Sequence, residues 1–178
     1  MGYEEGQTAV VVAVPEAVPV VQPWWGEYVE AARYGAPPHV TVLFPLLPII
    51  SIDGGIVEEL GMLVGTRAPF EVEFSGCARF PGVLYLEPTP DEPFRGLTAA
   101  IARHWPQVPP YGGQFDDPTP HLTVSHTVDP ARFDEIEADV STRLPLRTKV
   151  DHVELLAFDG RRWRRRHRLP LAATNHHT

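Results

Sequence analysis

Two short segments of the chain carry the same pattern: Pro38-His39-Val40-Thr41-Val42 and Pro120-His121-Leu122-Thr123-Val124. Successive side chains on a β-strand point to opposite faces. On an extended backbone His39 and Thr41 therefore share one face, and Val40 and Val42 share the other. His121 and Thr123 stand in the same relation to Leu122 and Val124. Each segment would bury its apolar pair and present an imidazole beside a hydroxyl. Brought face to face, the two would line a cleft with two imidazoles and two hydroxyls.

That set suits phosphodiester chemistry. One neutral histidine can remove a proton from water or a hydroxyl, while the other, protonated, donates one to the leaving oxygen. The hydroxyls and the imidazolium can donate to the non-bridging oxygens, which carry the charge of the transition state. Histidine titrates near neutrality, so acid and base can exchange roles in the reverse direction.

His-x-Thr alone is weak evidence. With 8 histidines in 178 residues, about 0.5 matches are expected by chance. A third match, His176-His177-Thr178, reads as such a hit in a frayed terminus. Requiring a preceding proline, an apolar middle residue and a following valine lowers the expectation to on the order of 0.003 per chain, yet the chain holds two copies. A lone strand histidine is usually structural, but a matched pair is harder to explain that way. A zinc site is disfavoured, because neither motif supplies a second ligand at metal spacing and Cys77 is the lone cysteine. No metal and no cofactor are expected.

The elements that must position these motifs can be read along the chain. Thr8–Val14 is an apolar, β-branched run and predicts a buried strand. Trp24–Tyr34 looks helical and is ended by Gly35, Pro37 and Pro38. His39–Phe44 is the next strand, and Asp53 can cap a helix through about Val64. Phe70–Phe74 alternates as a half-buried strand, with Gly82–Glu87 as its neighbour. Phe94–Trp105 reads as a helix and Gln107–Pro120 as a Pro- and Gly-rich loop. His121–Ser125 is a strand, followed by a helix over Pro130–Leu144 capped by Asp129. Val150–Phe158 and Trp163–Leu171 are final strands around the Asp159-Gly160 turn signal. The motifs lie 82 residues apart, near half the chain, each after a strand–helix–loop unit and before a helix. The pattern is that of an internal duplication, in an α+β fold with antiparallel sheet.

At this point the chain resembles a known family. The paired motifs are similar to those of the 2H phosphoesterase superfamily, in the branch named after the bacterial 2′-5′ RNA ligases and RNA 2′,3′-cyclic phosphodiesterases. Motif spacing and element order match over roughly residues 8–171. The resemblance implies two pseudo-symmetric lobes, each an antiparallel sheet with outer helices, and an active-site cleft between them. It implies one bilobal domain over 1–178, with a core of about 8–171 and a frayed C-terminal tail. It makes His39, Thr41, His121 and Thr123 the catalytic set, with His39 as proton donor and His121 as proton acceptor. It further implies metal-independent hydrolysis of a 2′,3′-cyclic phosphate, or of a related 2′-5′ linkage, on a nucleotide or RNA end. The alternative is a non-catalytic module on the same fold that binds a phosphorylated nucleotide. Two intact motifs favour the enzyme, since a non-catalytic relative would be free to lose either.

Other residues near the motifs are candidates of lesser weight. Tyr111 and Phe115 flank Gly112 and Gly113 just before the second motif, where aromatics on a Gly-rich loop could stack on a nucleobase. Packing of that loop onto the core is the equal alternative. Phe44 is expected in the core, and Trp24 and Trp25 as a core anchor and its neighbour. His126, five positions after His121, faces away from the motif if the strand is regular. His104 suits a helix C-terminus, and His152 and His167 read as satisfied or exposed strand residues. Asp116 and Asp117 read as turn residues, with orientation of a histidine as the alternative.

Composition bounds the rest. The net charge of −8 argues against a protein that coats long nucleic acid. Residues 1–90 hold the whole negative balance, whereas residues 91–178 are neutral, half of their basic residues falling in the run Arg161–Arg168. That run could touch phosphate; a solvated strand end is the simpler reading. Cys77 reads as a small buried hydrophobe. The start of the chain has no basic lead, and the apolar run Ala9–Val14 is too short for a secretory signal. No apolar stretch is long enough to span a bilayer. A monomer located in the cytoplasm is expected, without membrane partners.

Overall fold

The computed structural model describes residues 2–115, 117–127 and 129–172. Among these residues eight strands form one antiparallel sheet: β1 Thr8–Ala13, β2 His39–Leu43, β3 Phe70–Phe80, β4 Val83–Thr89, β5 Leu122–His126, β6 Leu146–Val150, β7 His152–Phe158 and β8 Trp163–Pro170. Their order is β6-β3-β4-β5-β2-β1-β7-β8. The two halves, β6-β3-β4-β5 and β2-β1-β7-β8, meet where Val40 pairs with Leu122, the central residues of the two motifs. The expected lobes are thus joined through their motif strands into one continuous sheet.

Among the described residues six α-helices accompany the sheet: α1 Val18–Val21, α2 Trp24–Tyr28, α3 Glu30–Arg33, α4 Gly54–Gly65, α5 Glu92–His104 and α6 Pro130–Ser141. Asp53 and Asp129 cap α4 and α6 by accepting bonds from the Ile56 and Ala131 amides, as their positions before apolar-periodic runs predict. The main core lies between one sheet face and the helices, and includes Val10, Val12, Val40, Val42, Leu122 and Val124. A smaller cluster on the opposite face holds Ala9, Val11, Leu156, Phe158 and Trp163, ringed by Tyr3, Tyr34 and Phe44. Strand β1 is therefore buried on both faces, which is why it reads as a continuous apolar run.

Several elements differ from the sequence expectation. The helix expected over Trp24–Tyr34 breaks at Val29, whose backbone is extended (φ −106°, ψ 121°) and whose side chain is buried. The strand expected over 150–158 is β7, which begins at His152, and β6, Leu146–Val150, is a further strand without a counterpart in the sequence expectation. Strand β6 alternates buried and outward residues as Leu-Arg-Thr-Lys-Val, and its polar outward positions hide it beside the preceding helix. Strand β3 runs to Phe80, well beyond Phe74.

A matched irregularity decides what the motif strands present. In β2, Val11 pairs with Thr41 but Val10 with Leu43, so Val42 is an extra residue. In β5, Tyr85 pairs with Thr123 but Leu84 with Ser125, so Val124 is an extra residue. Each is a β-bulge one position after the motif threonine, and a bulge resets which face later side chains occupy. The Val42 carbonyl accepts from Thr98 Oγ1 of α5 at 2.7 Å, which ties the first bulge to the helix beneath it.

Candidate active site

On the side of the small cluster, across the β2–β5 seam, a cavity of about 240 Å³ is lined by His39, Thr41, His121 and Thr123. The sheet thus brings together all four motif residues. Their neighbours Val40, Val42, Leu122 and Val124 are buried in the main core, as strict alternation within each motif requires.

The two imidazoles are held in the same way. His39 Nδ1 lies 2.7 Å from the Pro37 carbonyl oxygen, and His121 Nδ1 lies 2.7 Å from that of Thr119. A carbonyl can only accept, so in each ring Nδ1 carries the hydrogen and Nε2 is left for the cavity. The orienting partner is the backbone two residues upstream in both halves. Asp117, the described one of the two aspartates considered for that task, pairs instead with Arg95 at 2.6 Å; Asp116 lies outside the described residues, as does His176-His177-Thr178.

Burial pushes the His39 imidazole below its ordinary range; the bond to Pro37 opposes this, the His121 charge adds to it, and the Glu154 carboxylate opposes it. Burial likewise lowers His121, partly offset by the bond to Thr119. Both rings therefore favour the neutral form at neutral pH. Glu154 is a buried carboxylate that sequence reading passed over. It pairs with Val11 across the sheet, so it shares the face of Thr41 and His39, and its Oε1 accepts from Arg165 at 3.2 Å. Its charge favours the imidazolium form of His39. With that charge removed in Glu154→Gln, the pKa of His39 should fall. Any rate that needs His39 protonated should then decline at lower pH than in the wild type. An unchanged alkaline limb of kcat/KM would show that Glu154 does not reach His39.

The second imidazole has an aromatic seat. Phe80 and Tyr85 stack at 4.2 Å and meet the His121 ring edge-on at 5.3 and 5.5 Å. The signal available in the sequence was the aromatic pair around the Pro81-Gly82 turn, but its register against β5 was not.

Tyr111 lies in the cavity wall. Its backbone is left-handed (φ 52°, ψ 34°), an arrangement costly for a bulky residue and kept where surrounding structure enforces it. The Tyr111 amide donates to the Phe44 carbonyl at 2.7 Å, and burial pushes its hydroxyl pKa up, partly offset by the facing Thr41 hydroxyl. Phe115 stands outside the wall, 58% exposed, with its ring edge-on to Tyr111 at 5.9 Å. The structure therefore places Tyr111 inside the site and Phe115 at its surface.

Phe44 packs against the small cluster, as expected of a core residue, whereas His126 departs from expectation. Each follows its motif histidine by five positions, and each lines the cavity. The bulges at Val42 and Val124 are the cause, since they return both side chains to the motif face. Trp24 and Trp25 both pack against the main core, as expected; Trp25 also joins the cavity wall, and Trp24 donates to Asp139 Oδ2 at 2.6 Å. Of the other histidines, His104 approaches Glu59 at 3.3 Å at the end of α5, His152 contacts Asp151 at 2.6 Å, and His167 is exposed. Cys77 is half-buried, and burial pushes its thiol up to about 11, away from the reactive thiolate. Among the described residues, no three His, Cys, Asp or Glu side chains stand together as a metal-binding group, and no helix is long and apolar enough to cross a membrane.

An α+β fold whose sheet seam joins two His-x-Thr strands defines a class, and the family model agrees: the chain belongs to the 2′-5′ RNA ligase superfamily, matched over residues 13–162. This is the 2H phosphoesterase grouping that the motifs resemble. Among solved structures, the protein TT0787 of Thermus thermophilus shares the fold with a TM-score of 0.62 and 19% identity, over 95% of this chain and 100% of that one. E. coli LigT, solved with 3′-AMP, gives 0.60 and 18% over 96% and 100%. LigT solved with NADP+ gives 0.58 and 18% over the same shares. No curated protein matches this sequence.

Proposed function

We propose that this protein is a phosphodiesterase that hydrolyses a 2′,3′-cyclic phosphate, or a related 2′-5′ linkage, on a nucleotide or RNA end, without a metal. The observation that carries the reading is the matched pair of imidazoles, each fixed through Nδ1 by the carbonyl two residues back, lining one cavity with Thr41 and Thr123. Water attacks phosphorus as His121 Nε2 takes its proton. The bond from phosphorus to one ribose oxygen breaks, and His39 Nε2 gives that oxygen a proton. One phosphomonoester and one free hydroxyl result. The two threonine hydroxyls donate to the non-bridging oxygens as charge builds on them.

His39 is assigned the acid role by the resemblance of its motif to the family's; the Glu154 carboxylate favours its protonated form, against the burial that lowers it. Binding of an anionic phosphate beside the ring acts in the same direction. The cavity, at about 240 Å³, is smaller than the ~300–1,000 Å³ that encloses a drug-sized ligand, so it suits a phosphoryl group and its ribose while the base lies outside. Phe115, exposed and edge-on to the cavity-lining Tyr111, is the residue proposed to stack on that base. Phe115→Ala should raise KM about fivefold or more with kcat little changed, since one stacked base contributes roughly 1–3 kcal/mol. An unchanged KM would remove Phe115 from the site. The 3′-AMP held by LigT is a nucleotide monophosphate of the kind this reaction releases. The single, unpaired Cys77 fits a cytoplasmic setting.

The experiment is multiple turnover. Protein treated at length with EDTA and passed through gel filtration is incubated with 2′,3′-cyclic nucleotides and short cyclic-ended RNAs, and products are read by mass. A gain of one water, with product far exceeding protein, is expected. Stoichiometric binding without product would make the chain a phosphonucleotide-binding module instead. Activity lost with EDTA and restored by zinc or manganese would refute the metal-free site.

A further inference from the structure

Strand β8 is an edge strand, paired with β7 on one side only. Six arginines fall between Arg161 and Arg168, and all six are exposed. Three of them have carboxylate partners: Arg164 with Asp159 at 2.5 Å, Arg165 with Glu154 at 3.2 Å and Arg168 with Asp151 at 3.7 Å. Arg161, Arg162 and Arg166 have no carboxylate partner among the described residues. A charged edge can simply deter sheet-to-sheet pairing, but one or two charges suffice for that, and the position of this strip indicates more.

The strip begins at the wall of the histidine cavity. Trp163 lines that cavity and also an adjoining hollow bounded by Gly35, Pro37, Glu154 and Arg165. The Arg162 guanidinium lies 3.2 Å from where a Cβ on Gly35 would stand, beside the turn that delivers His39. The strand runs alongside the cavity, third from β2 beyond β1 and β7, with Arg168 level with Thr41 through Glu154 and Val11, and its eight residues extend about 26 Å at ~3.3 Å each. The six arginines outnumber the three carboxylates that pair with them, so the strip is locally positive and draws a polyanion. The exposed large apolar residues Ile50, Met62 and Phe115 are not on this strand, so the strand itself offers no exposed large apolar side chain for insertion into a lipid surface.

We propose that the arginine edge of β8 is a docking track for a single-stranded RNA backbone, and that the preferred substrate is an RNA several nucleotides long with its cyclic phosphate in the cavity. The assignment rests on the cyclic-phosphate reading above and deepens it: the cavity takes the reacting ribose, and the track takes phosphodiesters upstream of it.

The test compares kcat/KM for a 2′,3′-cyclic mononucleotide with that for an eight-nucleotide RNA bearing the same end, across a salt series. The wild type should favour the RNA at low salt, and the preference should fade as salt rises. In R161Q/R162Q/R166Q the RNA-to-mononucleotide ratio should fall roughly tenfold or more. The salt slope should drop by about 2, at about 0.7 for each phosphate left without its arginine. R161Q/R166Q, which leaves Arg162 in place against Gly35, should show about two-thirds of the slope change and guards against a folding defect. A ratio near one in the wild type, or a ratio unchanged in both variants, would overturn the proposal. Binding of the same RNA ending in a 3′-hydroxyl, read by fluorescence anisotropy, separates the two claims. Salt-dependent binding that the variants lack, with no turnover of any cyclic end by the wild type, would keep the track and reject the cyclic-phosphate reading. Variants that lose binding to phosphatidylserine vesicles but keep RNA binding would overturn the track in favour of a membrane.

Discussion

His121→Ala and His39→Ala are each expected to lower kcat by roughly 10²–10⁴, the range for removing a general acid or base. Both variants should remain folded, because each side chain faces the cavity while the core is built by the residues between them. The two losses should differ in kind. A substrate with an activated leaving group departs without needing a proton, so His39→Ala should regain much of its rate on such a substrate. His121→Ala should stay slow, because its defect is in activating water. Rescue of His121→Ala instead would reverse the two roles, and rescue of neither would mean that both rings chiefly bind phosphate.

Thr41→Ala and Thr123→Ala are expected to lose about 1–4 kcal/mol of transition-state stabilisation, as for deletion of one donor to a developing oxyanion. The effect should appear in kcat more than in KM, since the charge on the non-bridging oxygens is greatest in the transition state. Thr41 also faces the Tyr111 hydroxyl, so its removal frees a second group and should be the more costly of the pair. Thr→Ser at either position keeps the hydroxyl and should retain most of the rate. Equal losses in Ala and Ser variants would point to packing of the methyl group rather than to the hydroxyl.

Much of this site is legible in the sequence because strand alternation is a local rule. The pattern Pro-His-Val-Thr-Val settles which side chains go to the core and which to the cleft, and its near repetition indicates two such strands. The α+β class and the caps at Asp53 and Asp129 follow from equally local patterns. What was not legible depends on partners distant in the chain. The bulges at Val42 and Val124 exist only in the register against β1 and β4, so the placement of Phe44 and His126 at the cavity could not be read from β2 and β5 alone. Glu154 looks like one acid among many until β7 pairs with β1. The break of the Trp24–Tyr34 helix follows the burial of Val29, a tertiary demand that overrides helical periodicity. Phe80 and Tyr85 acquire their role only because β4 lies beside β5.

The central claim is that His39 is the acid and His121 the base, and the pH dependence of kcat/KM on a 2′,3′-cyclic substrate tests it most directly. A base must be unprotonated, so its loss of activity appears as pH falls; an acid must be protonated, so its loss appears as pH rises. Because burial lowers both rings, the wild-type bell for the free enzyme should be displaced toward acid from the ordinary histidine range, its limbs reporting the pair if the rings couple. His39→Ala should lose the alkaline limb and keep the acid one. His121→Ala should lose the acid limb and keep the alkaline one. A bell whose two limbs both survive in either variant would contradict the account.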